Sequence, residues 1–431
     1  MTTTPFRIGF LPLVDAALPI LARELGFAEA EGIALELVRD MSWATVNDRL
    51  LYGHSDAAHL LAPLAIATTL GLGRPATPLS VPFVLGLNGN AITLRPDLAT
   101  QVTAVGAPGD VAAIGARLAE VAQAARERGT PLRFGVVHRY SSHNYMLRYW
   151  LIGCGIDPDR DVAIVTVAPP FAADALAAGE IDGICVGEPW NSVAVDRGVG
   201  VIVAVTSQIW LRGVEKVLAM RTARMEEESD LTHRLLRALY RAGSTKATPA
   251  RMEEESDLTH RLLRALYRAG VAFVDPARRE EIAAILAGPD YLDGSATLIG
   301  HAISDRIVFA QGAAPIDVPD FMFQHREAAN FPWVSQAAWL YAQMCIAGHA
   351  APNPADYDAA QRVFRPDVYR AALRPLGVPL PGASSKLEGG IVEALGVGTT
   401  QGRLIMGADR FFDARSFDPA DLAGYLGGFE A

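Results

Sequence analysis

The sequence is short of the features that mark many chemistries. It has three cysteines in 431 residues, Cys154, Cys185 and Cys345. None forms a CxxC pair or falls at a Cys/His ligand spacing, so neither a disulfide framework nor a thiolate metal site is indicated, and reduced core thiols are expected. Positive charge is in deficit, with 38 Lys and Arg against 48 Asp and Glu and a net charge of −10, which argues against nucleic acid as a direct partner. Long apolar runs are missing as well. The most apolar window, 57–73, is broken by His59, Pro63 and two threonines, and it is too short and too polar to cross a bilayer. Met1-Thr-Thr-Thr runs directly into Phe6-Arg-Ile-Gly-Phe-Leu-Pro-Leu13 without the basic, apolar and cleavage segments of an export signal, so a cytoplasmic protein is expected.

Catalytic signatures are also lacking. The chain has no GxSxG elbow, no GxxxxGK[ST] loop, no HExxH and no GxGxxG between a strand and a helix, so no catalytic residue and no enzyme are expected. Asp157, Asp159 and Asp161 flank a proline turn but lack the glycine and distal glutamate of a calcium loop. The nine histidines are scattered, with no metal pair at helical spacing. Neither a metal nor a cofactor is indicated.

What is present is an alternation of short apolar runs with amphipathic stretches, the βαβ pattern of a parallel-sheet α/β protein. Phe6–Leu13, Ile33–Val38, Phe134–Val137, Val162–Val167, Ile181–Val186, Val199–Val205 and Lys216–Met220 read as strands. Helices are expected over Asp15–Gly26, Ala44–Leu51 with Ser42 as its cap, from Ser141-Ser142-His143 through Trp150, and over Pro170–Ala178. Gly187-Glu188-Pro189-Trp190 opens a further helix with proline at its first position. At 100–200 residues per domain, 431 residues allow two or three domains.

One segment is duplicated. Arg224–Gly243 recurs unchanged as Arg251–Gly270. Each copy reads as a capped amphipathic helix, and only one can fill a given groove. The second runs straight into Val271-Ala-Phe273, so it is expected to dock, leaving the first as a surface excursion.

Several strand-to-helix junctions carry hydrogen-bond donors. Trp43, His143 and Gly187 each stand where a strand ends and a helix begins, the places that line the carboxyl edge of an open sheet and receive anions. Asn90 and Lys216 add an amide and a cation.

The most distinctive blocks are Met41–Asp48, His59–Leu64, Leu87–Ile92, Ser142–Trp150 through Gly155–Pro158, Cys185–Trp190, Glu215-Lys216 and Phe331–Trp333. On these the chain resembles the nitrate-binding and bicarbonate-binding proteins of ABC importers, from Phe6 to about Ile346 and again over Phe411–Pro419. The resemblance implies a two-lobed type II periplasmic-binding-protein fold with the anion in the cleft. Lobe I would comprise 1–94 and 206–400, lobe II 95–205, and 401–431 a tail packing on lobe I. It further implies that Trp43, Asn90, His143, Gly187 and Lys216 surround the anion. Asn90 replaces a glutamine of the transport proteins with a shorter amide. Lys216 stands where bicarbonate binders carry an acidic residue that helps hold a metal, which favours bare nitrate or nitrite. Combined with the missing export signal, the resemblance points to the cytosolic nitrate/nitrite sensors of the NasS type. These hold an RNA-binding antiterminator of the NasT type inactive until the anion arrives. The alternative is a receptor of a nitrate or bicarbonate importer.

Overall fold

The computed structural model describes residues 3–104, 109–226 and 257–429. Two sheets organise them. The first sheet holds β1 (Thr4–Phe10), β2 (Ile33–Arg39), β3 (Ala57–Leu61) and β4 (Leu79–Asn88). The second holds β5 (Asn90–Leu94), β6 (Leu132–Val136), β7 (Val162–Thr166), β8 (Gly183–Gly187) and β9 (Val201–Val205). The chain then returns to the first sheet with β10 (Val214–Arg221) and a short β11 (Met322–Phe323). The strand orders are β11-β4-β10-β3-β1-β2 and β7-β6-β8-β5-β9. In each sheet, three strands run parallel through helical crossovers, and the strands that cross between lobes pair antiparallel.

The strands form where the sequence permits burial on both faces. In β3, Ala57-Ala-His-Leu-Leu61, and in β4 every residue is buried. Pro82 has no N–H to give a neighbour, and the register of β10 on β4 slips by one residue there, between the pairs Leu218–Phe83 and Met220–Ser80. Strand β1 stops at Phe10 rather than Leu13. A tight turn through Pro12 and a short 3₁₀ turn, Val14–Ala16, precede the helix Ala17–Glu24. Ser42 and Ser141 each cap a helix by accepting the backbone N–H three residues on, from Thr45 and Asn144. Pro189 is the cap residue of Trp190–Asp196, after a cis Glu188–Pro189 bond, and not its first helical residue.

The boundary between the lobes lies one strand earlier than expected. Asn90–Leu94 pairs with β8 and β9 and so belongs to the second sheet; the first crossing is at Gly89, not after residue 94. Asn88 and Gly89 both have positive φ, 60° and 84°. The Asn88 amide donates to Leu211 O and Asp320 O and accepts from Gly213 N–H, which ties the first crossing to the second, between β9 and β10.

The second copy of the duplicated segment docks, as Leu258–Phe273. Asp257 caps it, Leu262, Leu263, Leu266 and Phe273 are buried, and Arg264 and Arg268 pair with Glu31. The first copy lies, from 227 on, outside the described residues. The tail does not pack on the first lobe alone. Phe411 stacks on Trp210 and Trp339, yet the tail also reaches Tyr149 of the helix Ser142–Gly153, whose hydroxyl donates to Asp413 at 2.8 Å. No helix among the described residues is long and apolar enough to cross a membrane.

Candidate functional site

The carboxyl ends of β1 and β3 in one sheet face those of β6 and β8 in the other, and the five expected site residues converge there. Trp43 opens the helix after β2, and His143 is the second residue of the helix after β6. Gly187 ends β8 opposite Asn90, the first residue of β5. Lys216 lies in β10 between Leu61 of β3 and Gly86 of β4. Trp43, Asn90, His143 and Lys216 are exposed by 1% or less, and Gly187 is buried. The lobes are in contact across this point, with Val14 N–H donating to Glu188 O at 2.8 Å.

Three side chains that sequence reasoning did not assign complete the cluster. Asp15, at the turn after β1, accepts from Lys216 Nζ at 2.8 Å through one carboxylate oxygen and contacts His59 Nε2 at 2.8 Å through the other. Glu215 takes a second contact from Lys216. The Lys216 ammonium is therefore shared between two carboxylates and is not the uncompensated cation expected for it. Taken at formal charge, the two carboxylates and one ammonium leave one negative charge in excess. Lys216 also lies 5.1 Å from the centre of the Trp43 ring, close enough for a cation–π contact.

Burial sets the titration of this cluster. It pushes the Lys216 ammonium below its usual value, an effect Asp15 partly offsets. Although burial opposes ionisation of Asp15, Lys216 and His59 hold its carboxyl below the usual range. Burial lowers His59, against the pull of Asp15. It lowers His143 well below the ordinary value, with Lys216 adding to the effect. Glu188, beside the cleft, is pushed up to about 7 by burial, partly offset by hydrogen bonds from Ser192.

The cluster also contains buried polar atoms without a protein partner. These are Trp43 Nε1, both amide atoms of Asn90, both ring nitrogens of His143, His59 Nδ1, and one oxygen each of Glu188 and Glu215. Leaving such groups unsatisfied costs about 1–3 kcal/mol apiece, so their concentration around Lys216 makes this the candidate site. Gly187 keeps that place open. A Cβ there would come within 3.0 Å of a Leu13 methyl, 3.2 Å of the Asn90 amide oxygen and 3.5 Å of Asp15. The available donors are an indole N–H, an amide NH₂, an imidazole and an ammonium, a set that suits a small hydrogen-bond-accepting ligand. Among the described residues, no group of three or more His, Cys, Asp and Glu is placed to hold a metal ion.

The sequence carried a signal for the missed partners. His59 interrupts an otherwise apolar strand buried on both faces, and a buried histidine there needs a polar neighbour. Asp15 is the first acid after β1 and so falls at the carboxyl edge of the sheet.

Comparison with known proteins agrees with this architecture. The chain is 25% identical over 432 residues to the nitrate/nitrite binding protein NrtA of Nostoc sp. strain PCC 7120, covering 98% of this chain and 85% of that one. It is 30% identical over 374 residues to the nitrate import ATP-binding protein NrtC of Synechocystis sp. strain PCC 6803, covering 86% of this chain. The chain spans about half the length of that ATP-binding relative, 50%. The crystal structure of the periplasmic nitrate-binding protein NrtA from Synechocystis PCC 6803 superposes with a TM-score of 0.80 at 24% identity, over 100% of this chain and 99% of the other. The fold is thus the two-lobed α/β periplasmic-binding-protein type. Residues 1–258, more than half of the sequence, match the NMT1-like family, and the chain belongs to that family.

Proposed function

We propose that this chain is a binding protein for nitrate or nitrite, which it holds in the closed cleft between its two sheets, and that it serves as the receptor of an import system. The observation that carries this reading is the set of unpartnered donors around Lys216: the Trp43 indole, the Asn90 amide and the His143 ring, all fully buried. Nitrate is a small planar monoanion that accepts hydrogen bonds on every oxygen, and such donors satisfy it without a metal. The nitrate-binding and nitrate-import names of the relatives support the same ligand. Those transport names, and the periplasmic title of the solved relative, favour a receptor over the cytoplasmic sensor with an antiterminator partner expected from the sequence. A ligand that touches both lobes stabilises the closed form by its differential affinity. Closure of this kind is how a receptor would signal loading to a permease.

The test is calorimetric titration of nitrate, nitrite, bicarbonate and chloride into the purified chain. Heat of binding is expected with nitrate or nitrite and not with bicarbonate or chloride. Binding of bicarbonate alone, or of none of the four, overturns the ligand assignment.

A further inference from the structure

Charge poses a problem for an anion in this cleft, and the surroundings of His143 answer it. Lys216 is shared by Asp15 at 2.8 Å and by Glu215, so a bare anion would join a fully buried cluster that already has one negative charge in excess. Burying a further uncompensated charge is strongly disfavoured. His143 Nδ1 lies 3.3 Å from Glu215 Oε1 without hydrogen-bond alignment, and neither ring nitrogen has a partner. A neutral imidazole has a single N–H. Placed on Nδ1 it can serve Glu215 but leaves Nε2 as a lone pair, which repels an anion. Placed on Nε2 it leaves the Nδ1 lone pair against a carboxylate. Only the imidazolium donates from both nitrogens.

We propose that the anion enters this site together with one proton, taken up by His143, so that the site captures the equivalent of the acid rather than the bare anion. This rests on the anion-binding reading above. The proton is assigned to His143 because Glu215 stands at its Nδ1 while its Nε2 has no protein partner. Lys216 and Glu215 face it from β10 and Asp15 from the turn after β1. His59, on β3 behind Asp15, already uses Nε2 on that carboxylate. Cys185 of β8 is a neutral thiol, pushed up to about 12 by burial. Glu188, Glu215 and His59, whose Nδ1 has no partner, are the other buried groups able to hold a proton. In the free protein, burial and Lys216 keep His143 neutral; a neighbouring anion reverses the second of these effects.

Calorimetric titration of sodium nitrate in buffers of different ionisation enthalpy, between pH 6 and pH 8.5, counts the protons. Uptake of about one proton per nitrate is expected at pH 8, with the Kd weakening about tenfold per pH unit. Nitrate binding with no proton uptake and a pH-independent Kd overturns the proposal and leaves the anion reading standing. Failure of nitrate to bind at any pH overturns both. Glu215→Gln removes the excess negative charge, so nitrate should bind this variant without a proton and with a flat pH profile. Full uptake in Glu215→Gln would contradict the charge argument. Glu188→Gln and His59→Gln should still take up one proton and His143→Gln none; loss of uptake in either of the first two, or full uptake in His143→Gln, would overturn the assignment to His143.

Discussion

Lys216, fully buried, and Lys386, half-buried, are each shared between two carboxylates, Asp15 and Glu215 for the first, Glu388 and Asp409 for the second. Around Lys386 the acceptors are shared out. Ser335 Oγ donates to Glu388 Oε1 at 2.6 Å, and Ile391 N–H donates to Asp409 Oδ1 at 2.8 Å. Against the effect of burial, the two carboxylates raise the Lys386 ammonium above its usual value, whereas Lys216 is lowered. Around Lys216, the indole N–H of Trp43, the side-chain amide of Asn90 and both ring nitrogens of His143 have no hydrogen-bond partner in the protein. The same ionic motif therefore serves two ends. The satisfied cluster ties the segment after Ser384 to the helix Val334–Ile346, and the unsatisfied one is where we propose that the anion binds.

Breaking each cluster in turn should separate these roles. Lys386→Met strands two buried carboxylates and should cost about 3–5 kcal/mol of stability in denaturant unfolding. Nitrate affinity of the folded variant should be unchanged; a loss of affinity would mean that the two clusters are not independent. Lys216→Met should weaken nitrate binding by at least about 100-fold, equivalent to about 2.7 kcal/mol, as read by calorimetry. Retained affinity there would remove Lys216 from the site.

A smaller effect concerns Glu188. Its carboxyl sits near 7 when folded against an ordinary value of 4.5. The folded chain then holds this proton more tightly than the unfolded chain between those values, so this group's contribution to stability falls as pH rises from 4.5 through 7. Glu188→Gln should gain up to about 2–3 kcal/mol over the parent at pH 8, and the gain should vanish near pH 4.5. Equal gains at both pH values would show that burial of the charge is not the cause. The smallest effects belong to single donors and to shape. Trp43→Phe removes one unpartnered N–H and should weaken nitrate about tenfold. Gly187→Ala intrudes on Leu13 and Asn90 and should do the same.

Much of this arrangement was legible in the sequence because it depends on local rules. The serine caps at Ser42 and Ser141, the parallel strands expected from Ile33, Val162 and Ile181 among others, and the amphipathic second repeat follow from propensity and periodicity. These place Trp43, His143 and Gly187 at the carboxyl edges of their sheets. The buried strands Ala57–Leu61, Leu79–Asn88 and Asn90–Leu94 are not among the strands expected. What escaped was tertiary. No strand is expected over Leu79–Asn88 or Asn90–Leu94, and nothing local in these two runs shows that they belong to different sheets, so the crossing was set five residues late. Lys216 was legible as a cation, but its neutralisation by Asp15, some 200 residues away in sequence, depends on β1 and β10 lying on either side of β3. The tail's reach to Tyr149 likewise comes from aromatic packing across the lobes, for which one sequence carries no periodic signal.

The comparison of the two lysines stands or falls most directly on ligand-dependent stability. Denaturant unfolding with and without nitrate at about 100 times its Kd should show a gain of about 2.7 kcal/mol for the parent chain and none for Lys216→Glu. An equal gain in both would contradict the account, because the anion would then bind somewhere other than beside Lys216.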